Sequence, residues 1–152
     1  MGYFDFTNFK YLYSLFQIRW NFQSRHFWKF ILLAWTIEGL EWHRKLLEEN
    51  KLTGSYGKGV VNRMQKILRK YIIPKNKNIL VIGSTRPWIE AILLYEGARN
   101  ITTLEYNPYP TNHQSIRTIS PGDFARLVNK DEAPLFDAMV TFSSLEHSGL
   151  GR

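Results

Sequence analysis

Two residues of this chain stand at a spacing that suits ligand chemistry. Gly83 follows the apolar run Asn78–Ile82, and Glu105 ends a second strand-like segment 22 residues later. An acid about 20 residues beyond a glycine turn is the arrangement in which a carboxylate accepts hydrogen bonds from the two hydroxyls of a ribose. The glycine lets a ligand approach the backbone, and a right-handed strand–helix–strand unit brings the two strand ends side by side. The glycine signal itself is sparse. The turn reads Gly83-Ser84-Thr85-Arg86-Pro87, with one glycine where a pyrophosphate would ask for two or three. Taken singly, Gly83 also fits an ordinary strand-end turn and Glu105 an exposed strand-end acid; their joint spacing lifts both above those roles.

Other chemistries are excluded or disfavoured. The chain has no cysteine, so disulfides, zinc–thiolate sites and cysteine nucleophiles are ruled out. His26, His43 and His113 are isolated, with no partner at a ligand spacing, and no metal is expected. The loop Thr53-Gly54-Ser55-Tyr56-Gly57-Lys58-Gly59 invites comparison with a phosphate-binding loop. That motif needs four residues between its glycines and a Ser or Thr after the lysine. Here two residues intervene and Gly59 follows, so the comparison fails.

The elements that must position Gly83 and Glu105 can be read from residue 78 onward. Asn78–Ile82 is continuously apolar, as befits a strand covered on both faces. Pro87 suits a first helical position, Trp88–Glu96 continues the helix, and Gly97 stops it. Strands are expected at Ile101–Leu104, Ile116–Ile119 and Phe136–Phe142, with a short helix over Pro121–Asn129. This alternation predicts an α/β fold with a doubly wound parallel sheet.

The segment from Phe136 to His147 resembles the fourth-strand motif of small-molecule methyltransferases, in which Phe-Asp, an apolar strand and Leu-Glu-His follow one another. Gly122-Asp123-Phe124 resembles the segment whose acid meets the adenine amino group in that superfamily. Gly83, Glu105, Asp123 and the Phe136–His147 block thus fall in the order of a class I S-adenosylmethionine-dependent methyltransferase. S-adenosylmethionine carries no phosphate and tolerates a turn poor in glycine. At a finer level, VIGSTRPWIEAILLYEGARNITTLEYNPY and SSLEHSGLGR are similar to the domain-of-unknown-function 268 family, over roughly residues 55–152. The resemblance implies S-adenosylmethionine as cofactor. Gly83 and Ser84 would line its methionine end, Glu105 would hold the ribose, Tyr106 would lie against the adenine, and Asp123 would meet the adenine amino group. Ser143, Glu146 and His147 would face the substrate, with His147 as general base, since an ordinary histidine titrates near neutrality. One departure stands out: Val81 occupies the position two before the glycine where such enzymes usually carry an acid.

The N-terminal half has a different texture. Residues 1–77 carry a net charge of +9 and residues 78–152 carry −2, within a chain of +7. Residues 1–73 are expected to form a basic helical extension, and residues 78–152 the α/β domain. From Ser24 to Asn50, Trp28, Trp35 and Trp42 recur on what would be one helix face. That stripe reads either as core or as a docking surface for a partner protein or a membrane surface. A second helix is expected from about Val60 to Ile73, with Val61, Met64, Ile67, Leu68 and Tyr71 on one side and Pro74 ending it. A signal peptide is not recognisable, and the longest apolar run, Phe30–Ile37, is too short to cross a membrane. The cytoplasm is the expected location.

Methyltransferase sheets usually have seven strands in the order 3-2-1-4-5-7-6, and four are legible here. The expectation is therefore an incomplete Rossmann-like sheet, truncated after its fourth strand and preceded by the helical extension. Two functions follow. The first is a methyltransferase-like enzyme acting on a small-molecule or glycan acceptor. The second is a non-catalytic remnant of that fold that binds a partner. Nucleic acid is the less favoured partner, despite the basic half.

Overall fold

The computed structural model describes residues 34–144. The first helix that lies wholly among the described residues, α1, spans Ile37–Glu48. Thr36 caps it, its hydroxyl accepting from the Gly39 N–H at 3.2 Å. This cap changes the tryptophan stripe. Trp35 precedes the helix and is fully buried, whereas Trp42 lies within it and is 55% exposed. The two do not share a helix face, because the helix starts between them; Trp28 lies outside the described residues. The second helix, α2, spans Lys58–Ile67 and passes into a π-helical turn at Leu68–Ile72. Val61, Met64 and Leu68 are buried at helical spacing, while Ile67 and Tyr71 face outward, contrary to the single face expected.

The sheet is parallel throughout. Its strands are β1 (Asn78–Ile82), β2 (Asn100–Leu104), β3 (Ile116–Ile119) and β4 (Ala138–Thr141). Helix α3 (Trp88–Tyr95) links β1 to β2, and helix α4 (Pro121–Asn129) links β3 to β4. The order is β3-β2-β1-β4. This is the sequence-based expectation, and it puts β1 in the middle, where order reverses between the two halves of a doubly wound sheet.

The apolar composition of α3 follows from its surroundings. Six successive residues, Trp88 to Leu93, are buried. A helix apolar all round needs cover on more than one side. α3 packs against α1, and its Ile89, Ile92 and Leu93 share a cluster with Ile79 and Val81 of β1, Ile101 of β2 and Leu40 and Leu47 of α1. Val61, Met64 and Leu68 join the same cluster, so the core runs across the Pro74–Lys77 connection into the helical segment. No helix among the described residues is long and apolar enough to cross a membrane.

Candidate functional site

Register alone assembles the site. Ile82 pairs with Leu104 on one side and with Thr141 on the other, and Leu104 pairs with Ile119. The residues that follow these strands, Gly83, Glu105, Phe142 and Ser120, therefore emerge together at the carboxyl edge of the sheet. In open parallel sheets, ligands bind at that edge, where strand order reverses. A cavity of about 480 Å³ opens there, walled by the Gly83–Thr85 turn, Glu105, Tyr106, Pro121, Phe142, Ser143 and Ser144. Ser55 and Tyr56 close another side of it.

The Gly83 turn is shaped for close approach. Gly83 has φ of +70°, and a Cβ there would stand 2.2 Å from the Ser144 hydroxyl oxygen. Any side chain would displace the segment after β4. The Gly83 N–H donates to the Leu104 carbonyl at 2.9 Å, and the Ser144 hydroxyl donates to the Gly83 carbonyl at 3.1 Å. Ser143 has φ of +52°, a conformation in which non-glycine residues store strain. The turn thus ties β1 to both neighbouring strand ends.

Glu105 is fixed before any ligand arrives. Its Oε2 accepts from the Ser84 N–H at 3.0 Å, and its Oε1 from the Tyr106 N–H at 2.8 Å. Each carboxylate oxygen retains a further acceptor direction. Tyr106 is exposed on the cavity rim, with its ring open to solvent.

A second acid, which the sequence reading passed over, lies beneath this turn. Glu90 of α3 is fully buried. Its Oε1 is 2.8 Å from the Thr103 hydroxyl and its Oε2 is 2.9 Å from the Ser84 hydroxyl. Burial pushes its pKa up to about 7, and the charge on Glu105 pushes the same way, against its own backbone N–H and the two hydroxyl contacts. One signal was available in the sequence: Glu90 is the lone acid in the run WIEAILLY.

Trp35 braces both loops of the site from behind. Its indole N–H donates to the Thr85 carbonyl at 3.3 Å, and its ring stacks on Tyr109 at 5.7 Å. The Ile37 N–H donates to Asn112 at 2.8 Å, holding the loop after β2 to the start of α1. Burial and the nearby Glu105 charge raise the pKa of the Tyr109 phenol. The aromatic wall is built similarly. Phe142 meets Trp88 and Tyr56 edge-on, at 5.6 and 5.0 Å, and Gly54 lies so close to Trp88 that a Cβ would stand 2.9 Å from its ring. The loop that failed as a phosphate-binding motif is thus a wall of the cavity.

Of the residues proposed from sequence, Gly83, Ser84, Glu105, Tyr106 and Ser143 line this one cavity. Asp123 does not. Its carboxylate accepts from the Ser120 hydroxyl at 2.7 Å and pairs with Arg126, and its own N–H donates back to Ser120. These contacts cap α4. Glu146 and His147 lie outside the described residues. Among the described residues, no group of three His, Asp or Glu side chains converges as a metal site would require.

An open parallel sheet ordered 3-2-1-4, with a glycine turn and an acid side by side at its carboxyl edge, defines a Rossmann-like α/β protein. Residues 76–152 match the family described as "Caenorhabditis protein of unknown function, DUF268", and the chain belongs to that family. No curated protein matches the chain.

Proposed function

We propose that this protein binds S-adenosylmethionine at the carboxyl edge of β1 and β2 and is methyltransferase-like, acting on a small-molecule or glycan acceptor. The observation that carries this reading is the pairing of Glu105 with the Gly83–Ser84 turn across one cavity. A carboxylate held by two backbone N–H groups, with acceptor directions to spare, suits a vicinal diol. The cavity volume lies within the roughly 300–1,000 Å³ typical of small-ligand sites. The single-glycine turn suits an adenosyl ligand without a pyrophosphate. Gly83 and Ser84 would hold the methionine end, Glu105 the ribose hydroxyls, and Tyr106 would offer its ring to the adenine. Asp123 would have to release Arg126 to reach the adenine amino group. When bound, such a cofactor supplies a methyl group on a sulfonium, and the chain's part is to orient it and exclude water. His147 and Glu146 are the proposed proton acceptors for the substrate.

A second reading, a non-catalytic module that binds a partner protein, is favoured by one observation. Trp42 is 55% exposed on α1, and a large aromatic ring in that position suits an interface.

Calorimetric titration of the chain with S-adenosylmethionine, S-adenosylhomocysteine and NAD separates these readings. Selective micromolar binding of the adenosyl ligands is expected. Glu105→Ala should weaken it roughly 100-fold or more, since two hydrogen bonds to a charged group are lost. Unchanged binding by the folded variant would sink the ribose assignment, and equal binding of NAD would point to a dinucleotide site.

A further inference from the structure

We propose that Glu90 is a positioning residue whose protonation state sets the geometry of the Ser84–Arg86 turn and, through it, the grip of the neighbouring site on its ligand. The ligand half of this inference rests on the adenosyl reading above; the turn half does not.

Hydrogen counting leads to it. The Ser84 hydroxyl has one hydrogen but two acceptors in reach, the Arg86 carbonyl at 3.0 Å and Glu90 Oε2 at 2.9 Å. One hydrogen cannot serve both. A neutral Glu90 resolves the conflict, because its own O–H donates to Ser84 and frees the Ser84 hydrogen for Arg86. The Thr103 hydroxyl meanwhile donates to the other oxygen of Glu90. Every polar atom of the chain Glu90–Ser84–Arg86 is then paired, as a fully buried acid requires. The Arg86 carbonyl also accepts from the Trp88 N–H at 2.8 Å, so the same oxygen organises the start of α3.

Ionisation rearranges this chain. The Glu90 proton passes to solvent, the Ser84 hydrogen swings to the new carboxylate, and the Arg86 carbonyl loses a donor. The turn is loosened just where the Ser84 N–H holds Glu105 at 3.0 Å. A second negative charge also comes to lie across Ser84 from Glu105, and like charges so placed oppose each other. The charged neighbours are few. Glu105 acts on Glu90 from the end of β2. Arg86 stands in the same turn. On α1, which packs against α3, His43 is half-buried, and burial holds its pKa below the usual value.

The test reads the turn and the ligand separately, on the full chain. Across pH 5–9, the Ser84 amide resonance should move in a single step near neutrality in wild type and stay flat in Glu90→Gln. Glutamine reproduces the neutral acid, donating to Ser84 and accepting from Thr103. Affinity for S-adenosylhomocysteine, which lacks the sulfonium charge, should fall on the order of tenfold from pH 6 to 8.5 in wild type and stay level in the variant. A Ser84 resonance with no step near neutrality in wild type would overturn the proposal, whatever the variant does. A step with the same affinity profile in both proteins would overturn its ligand half. A step without binding at any pH would uphold proton control of the turn and overturn the adenosyl reading.

Discussion

The two halves of the sheet are built to different standards. On one side, β1 has neighbours on both edges, and α3 behind it buries six consecutive residues. On the other, β4 pairs only with β1 among the described residues, Val140 is its one buried side chain, and α4 buries none. Met139 within it and Leu135 just before it stand exposed. The difference separates two tasks. The turn and the acid that would recognise a ligand rest on the dense half, where a displacement of an ångström would be resisted from several directions. The sparse half supplies Phe142, Ser143 and Ser144 at the tip of a short strand, where the Gly83 contact and the aromatic wall help to hold them.

The largest effect that would sharpen this contrast is expected at Trp35. Trp35→Ala removes a fully buried ring, its stack on Tyr109 and its bond to the Thr85 carbonyl. The expected loss is about 3–5 kcal/mol in chemical denaturation, with weaker binding because both site loops lose their brace. Trp42→Ala on the same segment should cost less than about 1 kcal/mol, since that ring is half in water already. Equal losses at the two positions would break the contrast between the braced face and the open one.

Next in size is the pH dependence contributed by Glu90. Its folded pKa, about 7, is raised above the ordinary 4.5, so the folded state binds the proton more tightly than the unfolded chain. The stabilisation is complete below the unfolded value and is lost as pH rises through 7. Between pH 5.5 and 8.5 the loss is about 2 kcal/mol. Urea midpoints for wild type and Glu90→Gln should therefore diverge across this window, the variant holding its stability at high pH. Parallel pH profiles would show that the buried acid is not what the dense half responds to.

How much of this was legible beforehand depended on whether the determinant was local. The strands Asn78–Ile82 and Ile116–Ile119 and the helix Pro121–Asn129 were readable to the residue, because apolar runs and turn residues bound them closely. The pairing of Gly83 with Glu105 was legible because a right-handed strand–helix–strand unit brings the ends of its two parallel strands side by side. The tryptophan face was misread because a one-atom event, the Thr36 hydroxyl capping Gly39, starts the helix after Trp35. Asp123 was given a ligand by resemblance, while its contacts with Ser120 and Arg126 are those of a helix cap. Glu90 was visible as an acid among apolar residues, but Ser84 and Thr103 reach it only through tertiary packing, which spacing does not encode. Tyr56 was not legible as a cavity wall because the glycines around it mimic a phosphate-binding loop, whereas Gly54 serves to let the loop close over Trp88.

The smallest expected effect tests the sparse half directly. Leu135 is 90% exposed, next to the Phe136 ring that leans on Phe124 at 6.1 Å. Leu135→Ser removes almost no buried area, so the chain's stability should change by less than about 0.5 kcal/mol. Phe136→Ala makes the sharper comparison, because it removes the ring that joins α4 to the approach of β4. If the half is as loosely held as its burial indicates, that loss stays well under the roughly 3–5 kcal/mol of a core aromatic. Side-by-side denaturation curves decide it. A loss at Phe136 as large as that at Trp35 would mean that α4 and β4 form a cooperative core of their own. The weak packing behind Ser143 would then no longer distinguish the two walls of the site.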